Sequence, residues 1–397
     1  MDKKAKVSTE SYKGVRDFYP DDMRIRNYMF DTIRKTVESY GFEEYDASPL
    51  EPAELYESKT SQEIVNDQTY TFTDRGDRRV TLRPEMTPTV ARMVAHKQRD
   101  LAFPLRWYSI PNLFRYERPQ RGRLREHYQL NADIFGTDNV EADIELISLA
   151  HKILINFGAK ESDFEIRINN RGILKKQLME NLSEDEAEME LSKMDKGKSD
   201  MTLDLEASDE ILHIIKTLKS RDITNVHFDK DLVRGFSYYT GTIFEVFDTH
   251  KDNNRSLFGG GRYDNLTSLF GGDSIPAVGF GMGDVTLRDF LESHNLLKEL
   301  PFKPKVFIAT LGIHPEHTHK LAETLRAHNI PVEINMTSKK IGDQIKIAEK
   351  HNGTHLIVLG ETELKEEKFT IKNLLTRKEQ MCSFDDASGQ TKCILQN

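Results

Sequence analysis

Two kinds of apolar spacing divide this chain, and the change between them is the feature that most constrains its fold. Up to Arg288, short β-rich runs and longer helical runs follow one another without regular alternation. Leu300–Pro304, LPFKP, then interrupts the chain with two prolines and reads as a linker. Beyond it the periods alternate. Val306–Leu311 is extended, His317–His328 helical, Val332–Ile334 extended, Ile341–His351 helical and Leu356–Leu359 extended. Strand–helix alternation of this kind specifies βα units, so 305–397 is expected to form an α/β domain of its own.

The earlier part reads differently. Met29, Ile33 and Val37 recur at helical spacing within Met23–Tyr40, and Gly41 is the expected stop. Phe42–Pro49 reads as extended, ended by Pro49. Strands around Tyr70–Thr73 and Arg79–Arg83 follow, then a helix over Thr87–Lys97. Extended segments at Leu105–Tyr116 and His127–Phe135 precede a helix at Glu141–Asn156. This order suggests an α+β core around an antiparallel sheet. Asn170–Asn225 is helical in spacing and crowded with Glu180, Glu184, Asp185, Glu186, Glu188 and Glu190. It reads as a helical insertion with a solvated acidic face. Strand and glycine character returns after Asp229. The expected organisation is therefore a core of 1–169 and 226–299, an insertion at 170–225, a linker at 300–304 and a domain at 305–397.

Several classes are excluded. No apolar run approaches the ~18 residues of a membrane span, and the opening MDKKAKVSTESYKG has no apolar segment of a secretory signal. Cys382 and Cys393, the only cysteines, cannot build a disulfide framework or a four-cysteine zinc site. These features suit the cytoplasm. A net charge of −9 argues against general coating of nucleic acid, so RNA binding would need locally concentrated cations. His314, His317 and His319 lack a completing acid or cysteine and read as a polar helix start, with no metal fixed by the protein.

Leu232–Glu245, LVRGFSYYTGTIFE, combines strand character with an anion clamp. Arg234 offers a planar fork for carboxylate or phosphate, Tyr238 and Tyr239 offer phenols to opposite sides, and Gly235 and Gly241 permit close approach of a ligand. Phe114–Gln129, FRYERPQRGRLREHYQ, places Arg115, Arg118, Arg121, Arg123 and Arg125 around a turn at Pro119 and Gly122. Forked cations at a hairpin tip suit polyphosphate or the end of a nucleic acid. In TLRPEMT, Glu85 and Thr87 fall on one side of an extended chain, where they could grip an ammonium group. FGGGRYD, Phe258–Asp264, suggests close backbone approach, with Tyr263 lining a pocket. Gly279, Gly281 and Gly283 precede a helix in AVGFGMGDVTLRDFL, but without the spacing or βαβ setting of a dinucleotide fingerprint.

LVRGFSYYTG and GGGRYD together resemble the histidine-binding segments of histidyl-tRNA synthetases, and the likeness extends from KGVRDFYP at Lys13–Pro20 to the C-terminal domain. FRYE with its arginine loop is similar to the second motif of class II aminoacyl-tRNA synthetases, Ala277–Leu291 to the third, and Met23–Leu50 to the first, a homodimer interface. The C-terminal segment resembles the class IIa anticodon-binding domain. HIGH, KMSKS and Walker A sequences are absent. The resemblance implies a ligase that activates L-histidine with ATP and magnesium and transfers it to the 3′ end of tRNA(His). It implies that Arg115 and Arg234 flank the α-phosphate and that Glu117 touches adenine beside His127. Arg123 would meet the γ-phosphate and Gly283 close the ATP site. Glu85, Thr87 and Gln129 would hold the amino group of histidine. Asp133 and Tyr239 would read its imidazole, with Arg234, Tyr238 and Tyr263 completing the pocket. Arg118, Arg121 and Arg125 would meet the acceptor end of tRNA. The chain departs from the family at His127 (commonly phenylalanine), Asp133 (glutamate in many bacterial members) and Ser237 (usually aspartate). Thr286 stands in place of the third-motif arginine, with Arg288 turned ~200° round the helix from it. The alternative is a synthetase-like regulatory subunit of ATP phosphoribosyltransferase that senses histidine; a tRNA-binding regulator is a third reading.

Overall fold

Pro20 opens the first helix, α1 (Pro20–Ser39), earlier than the apolar spacing places it. Proline has no N–H to lose in a first turn, and Asp21 and Asp22 suit the positive end of the helix dipole. The computed structural model describes residues 7–57, 68–201, 203, 206–234, 237–253, 255–297, 305–312, 315–386, 389 and 394. Gly235, His314, Cys393 and the linker 300–304 lie outside them. The described chain divides into units Met1–Lys298 and Glu299–Asn397.

In the first unit the strands are β1 (Glu43–Glu44), β2 (Leu50–Pro52), β3 (Tyr70–Thr73), β4 (Arg79–Leu82), β5 (Leu105–Ser109), β6 (Asn112–Phe114), β7 (Glu126–Phe135), β8 (Phe164–Asn170), β9 (Val226–Phe228), β10 (Thr242–Asp248), β11 (Ser256–Arg262) and β12 (Ala277–Gly283). The remaining helices are α2 (Glu54–Glu57), α3 (Thr87–Lys97), α4 (Glu141–Asn156), α5 (Arg171–Leu178), α6 (Glu184–Asp195), α7 (Asp209–Ser220) and α8 (Asp284–Ser293). Among the described residues a nine-stranded sheet runs β1-β5-β7-β12-β11-β10-β8-β9, with β6 also on β7. Its ladders are antiparallel except the parallel pairs β1–β5 and β8–β9. β2, β4 and β3 form a small second sheet. Two expectations need correcting. Leu105–Tyr116 is two strands, because Pro111 cannot donate to a ladder. Most of Phe42–Pro49 is irregular, and pairing resumes only at Leu50.

Alternation along the sheet sorts its residues onto two faces. Leu130, Ala132 and Ile134 of β7, Val278, Phe280 and Met282 of β12 and Phe244 and Val246 of β10 point to one core. There they meet Met29, Ile33 and Val37 of α1, the largely buried α4, and Leu287, Phe290 and Leu291 of α8. Deleting a buried ring such as Phe290 would cost roughly 3–5 kcal/mol. On the opposite face Phe135, Ile243 and Ala277 join a second core with Val90 and Val94 of α3, while Gln129, Asn131, Asp133, Gly279 and Gly281 leave a polar, glycine-lined stretch open to a ligand.

The helical stretch 170–225 packs in two directions. α5 and α6 make a core of their own with Leu203 and Val233, while Ile211, Ile214 and Leu218 of α7 join the main core. The acidic run is largely paired: Ser183 and Glu186 cap α6 reciprocally, and Glu188 receives Arg171 at 2.7 Å and Lys175 at 3.0 Å.

The second unit contains β13 (Val306–Thr310), α9 (Pro315–Ala327), β14 (Val332–Ile334), α10 (Ile341–Lys350), β15 (His355–Leu359), α11 (Glu361–Glu366), β16 (Lys368–Asn373) and β17 (Glu379–Ser383). Its sheet order is β14-β13-β15-β16-β17; the first three strands are parallel and the last two antiparallel. β16 and β17 were not foreseen, although Phe369 and Ile371, alternating with lysines and threonine, carry the period of a half-buried strand and are buried in β16. His317 and His319 are exposed at the start of α9, and Cys382 is buried on β17.

Candidate functional site

The binding face owes its depth to glycine. Gly279 and Gly281 of β12 stand opposite Asp133 and Asn131 of β7, and Gly259 of β11 stands opposite Gly281. A Cβ on Gly279 would lie 1.9 Å from Asp133 Oδ1, one on Gly281 2.4 Å from Gln129 Nε2, and one on Gly259 2.3 Å from Arg234 Nη1. The polar side chains of β7 and of Arg234 thus lie across positions where any side chain would collide. The cavity so formed has a volume of about 540 Å³ including its open mouth. Glu85, Thr87, Arg115, Gln129, Asp133, Arg234, Tyr238, Tyr239 and Tyr263 all line it, together with Asn131, Gly259, Gly279, Phe280 and Gly281. Tyr238 and Tyr239 do not point to opposite sides as expected: 237–241 is irregular and β10 begins only at Thr242, so both phenols face the cavity with ring centroids 4.8 Å apart.

Each wall is anchored locally. Arg83, buried, donates to Asn112 O at 3.0 Å and Ala47 O at 2.6 Å and so fixes the TLRPEMT segment. Arg115 Nε donates to Pro84 O at 2.8 Å. The Glu85 carboxylate is almost fully buried and accepts from Tyr238 OH at 3.1 Å. At the other end Tyr263 OH donates to Asp133. Arg234 Nη1 donates to Glu245 Oε1 at 2.6 Å, while its Nε is buried without a partner among the described residues. Gln129 and Asn131 hold each other, Gln129 Nε2 donating to Asn131 Oδ1 at 2.7 Å.

The charges are segregated. Arg115 and Arg234 supply fixed positive charge, because guanidinium stays protonated. Burial pushes the Asp133 carboxyl up to about 7, the Tyr263 hydrogen bond opposing only part of that rise. Burial also pushes the hydroxyls of Tyr238 and Tyr263 far above the ordinary phenol range, so both remain donors. His127, on the same face of β7, is held neutral: burial first, then Arg115 and Arg16, lower it to about 3. A ligand with an ammonium group, an aromatic nitrogen ring and an anionic end matches this order of charges.

Other expected site residues lie outside the cavity lining. Glu117 sits between Arg115 at 4.0 Å and Arg123 at 3.9 Å. Arg118 and Arg123 are exposed, and Arg121 pairs bidentately with Asp289 of α8 at 2.9–3.0 Å. Arg125 is built into the protein rather than presented at a tip. It donates to Glu117 O and Tyr12 OH, both at 3.1 Å, and lies 3.9 Å over the Tyr116 ring. Gly283 faces Gln129 in register, but a Cβ there would meet Thr286 Oγ1 only at 3.5 Å, so space does not require glycine.

Arg288 does not take the place of an arginine at 286. It pairs with Glu292 at 2.8 Å and Asp22 at 3.7 Å, as expected of a side chain on another face of α8. Thr286 has a structural task instead: its single hydroxyl hydrogen is shared between Leu257 O at 2.8 Å and Gly283 O at 3.1 Å. Thr286→Arg forfeits that bond, at roughly 1 kcal/mol, and should lower Tm by a few degrees in calorimetry. An unchanged Tm would show that the bond contributes nothing.

The sequence reading passed over Asn131 and Glu245. Asn131 was legible, since i+2 alternation between Gln129 and Asp133 puts it on their face. Comparison with known proteins adds an independent line. The family model described as histidyl-tRNA synthetase matches residues 14–205 and 176–285, and the anticodon binding domain model matches 305–393. The histidine–tRNA ligase of Leptospira biflexa is 43% identical, covering 98% of this chain and 99% of the relative. That of Thermoplasma volcanium is 36% identical, covering 96% and 97%. The crystal structure of apo S. aureus histidyl-tRNA synthetase superposes with a TM-score of 0.77 at 25% identity, covering 98% of this chain and 100% of that one.

Proposed function

Because this chain belongs to the histidyl-tRNA synthetase family, we propose that its cavity activates L-histidine with ATP and passes the product to the 3′ end of tRNA(His). The enzyme is a histidine–tRNA ligase of class II. The observation that carries this reading is the lining of a single cavity by two buried acids, Glu85 and Asp133, and two arginines, Arg115 and Arg234. The regulatory-subunit alternative has less support, since the curated relatives matched over nearly the full chain are ligases.

In the proposed mechanism Glu85, Thr87 and Gln129 receive the ammonium group, with Tyr238 holding the Glu85 carboxylate. Asp133, oriented by Tyr263, and Tyr239 receive the imidazole. The histidine carboxylate then attacks the α-phosphate, forming the acyl–phosphate bond as the bond to pyrophosphate breaks. Arg115 and Arg234 stabilise the charge that grows on the phosphate oxygens; no covalent enzyme intermediate is needed. The terminal ribose hydroxyl of tRNA next takes the histidyl group and AMP leaves. Glu117 and His127 meet adenine, Gly283 borders the nucleotide, and Arg123 meets the γ-phosphate. Magnesium would be held through the phosphate oxygens of ATP and would offset their charge. Arg118 and Arg121 meet the acceptor end. We extend the proposal to a cytoplasmic homodimer formed through 23–50. No helix among the described residues is long and apolar enough to cross a membrane.

Charging of a histidine tRNA transcript with labelled histidine tests the whole reaction. Label on the 3′ end is expected; histidyl-adenylate formation without transfer would remove the second step.

Asp133 gives a pH-dependent check. Its carboxyl is at about 7 in the folded chain against an ordinary 3.8, so between those values the native state binds more protons than the unfolded one. Stability from this group therefore falls as pH rises through the window. Asp133→Asn should raise Tm at pH 8 and leave it nearly unchanged near pH 4. It should also raise the KM for histidine roughly tenfold or more, by loss of a charged hydrogen bond. A Tm shift independent of pH would contradict the assignment.

A further inference from the structure

Arg234 lies in an irregular stretch just after Leu232 and Val233, so no β-ladder sets the direction of its long side chain. Something else must hold the fork, because a flexible guanidinium stabilises a transition state only when oriented beforehand. The neighbouring strands supply that hold. Glu245 of β10 stands opposite Gly259 of β11, and the missing side chain at Gly259 is the space through which the guanidinium crosses the sheet. Nη1 then donates to Glu245 Oε1 at 2.6 Å. The two side chains are only 15% and 18% exposed, so the pair is little screened by water.

We propose that Glu245 is a positioning residue that fixes Arg234 through Nη1 and so holds the part of its fork that lines the cavity ready to meet a substrate oxygen. Tyr239, its ring 5.6 Å from the guanidinium carbon and its hydroxyl hydrogen-bonded to the guanidinium, braces the fork on another side. Glu245 is not among the residues lining the cavity, so it acts through the arginine and not on the reacting atoms. Burial holds its carboxyl above the ordinary range, with Arg234 opposing that rise. The inference rests on Arg234 meeting the carboxylate or α-phosphate during activation.

The test is a double-mutant cycle read by histidine-dependent ATP–pyrophosphate exchange on the full chain: wild type, Glu245→Ala, Glu245→Gln, Arg234→Ala and the Arg234→Ala, Glu245→Ala pair. Glu245→Ala should lower kcat roughly tenfold or more, the scale expected when a reacting group is displaced by a fraction of an ångström to an ångström. Histidine KM should change far less. Glu245→Gln keeps an acceptor oxygen and should recover most of the loss. In the Arg234→Ala background, removing Glu245 should cost nothing further. Near-wild-type turnover in Glu245→Ala, or an equal loss in both backgrounds, would overturn the proposal. If Glu245→Ala does not fold, the same cycle with Glu245→Leu, which fills the space without an acceptor, decides: loss confined to the background that retains Arg234 supports it, and equal loss in both backgrounds overturns it. Wild-type protein without exchange would overturn the ligase reading and this inference with it, whereas an active wild type insensitive to Glu245 sinks the inference alone.

Discussion

Arg234→Ala is expected to lower kcat for histidine-dependent ATP–pyrophosphate exchange by roughly 10²–10³-fold, the usual scale for removing one preorganised charge-stabilising donor. Its charge matters most when the phosphate oxygens carry most charge, so turnover should fall more than affinity. The substitution also strands Glu245, whose carboxylate would be left buried beside a void. That cost falls on stability, and a melt measured alongside the exchange rates separates the two effects. Arg234→Lys should recover little, because a point charge cannot both donate to Glu245 and present a second N–H in the geometry of a fork. A variant that merely raised KM would show that Arg234 binds substrate without acting on the transition state.

Gly279→Ala is the second large expected effect. Its new Cβ would fall 1.9 Å from Asp133 Oδ1 and 3.0 Å from Ala132 O. Backbone cannot yield easily in the middle of the β7–β12 ladder, so the Asp133 side chain must move. That breaks its bond from Tyr263 and moves a buried carboxyl that lines the cavity. Histidine affinity, measured by calorimetric titration, should fall at least tenfold, given roughly 1.5–3 kcal/mol for a hydrogen bond to a charged group. Gly283→Ala is the control: its Cβ meets only Thr286 Oγ1 at ordinary contact distance. Equal losses in both variants would refute the packing argument for the glycine row.

How far the chain can be read without its structure depends on whether the information is local. Apolar period located α1, α4 and the βα pattern of the second unit, since each buries one continuous face. It missed where α1 begins, because Pro20 and its acidic neighbours act through the backbone and the dipole and carry no apolar period. Among the residues lining the cavity, Glu85 and Thr87 were legible from their spacing and chemistry, whereas Gln129 and Asp133 were legible only through the resemblance to the family. Partnerships across long sequence separations were not. Nothing around Arg121 announces Asp289 on α8, and nothing around Arg125 announces Tyr12. Five arginines in one hairpin therefore look equivalent in sequence, although the fold ties Arg121 to Asp289 and Arg125 to Tyr12, sets Arg115 and Arg123 on either side of Glu117 and leaves Arg118 exposed. Glycines show the same limit: Gly279 and Gly281 are required by side chains on another strand, and Gly283 is not.

The central claim is that this cavity makes an aminoacyl-adenylate from histidine. The most direct measurement is ATP–pyrophosphate exchange by the purified chain with magnesium and without tRNA, using L-histidine and other amino acids in parallel. The account predicts exchange with L-histidine alone, achieved with threonine at position 286. A folded protein that binds histidine but exchanges no pyrophosphate would contradict it and favour a histidine-sensing regulatory subunit.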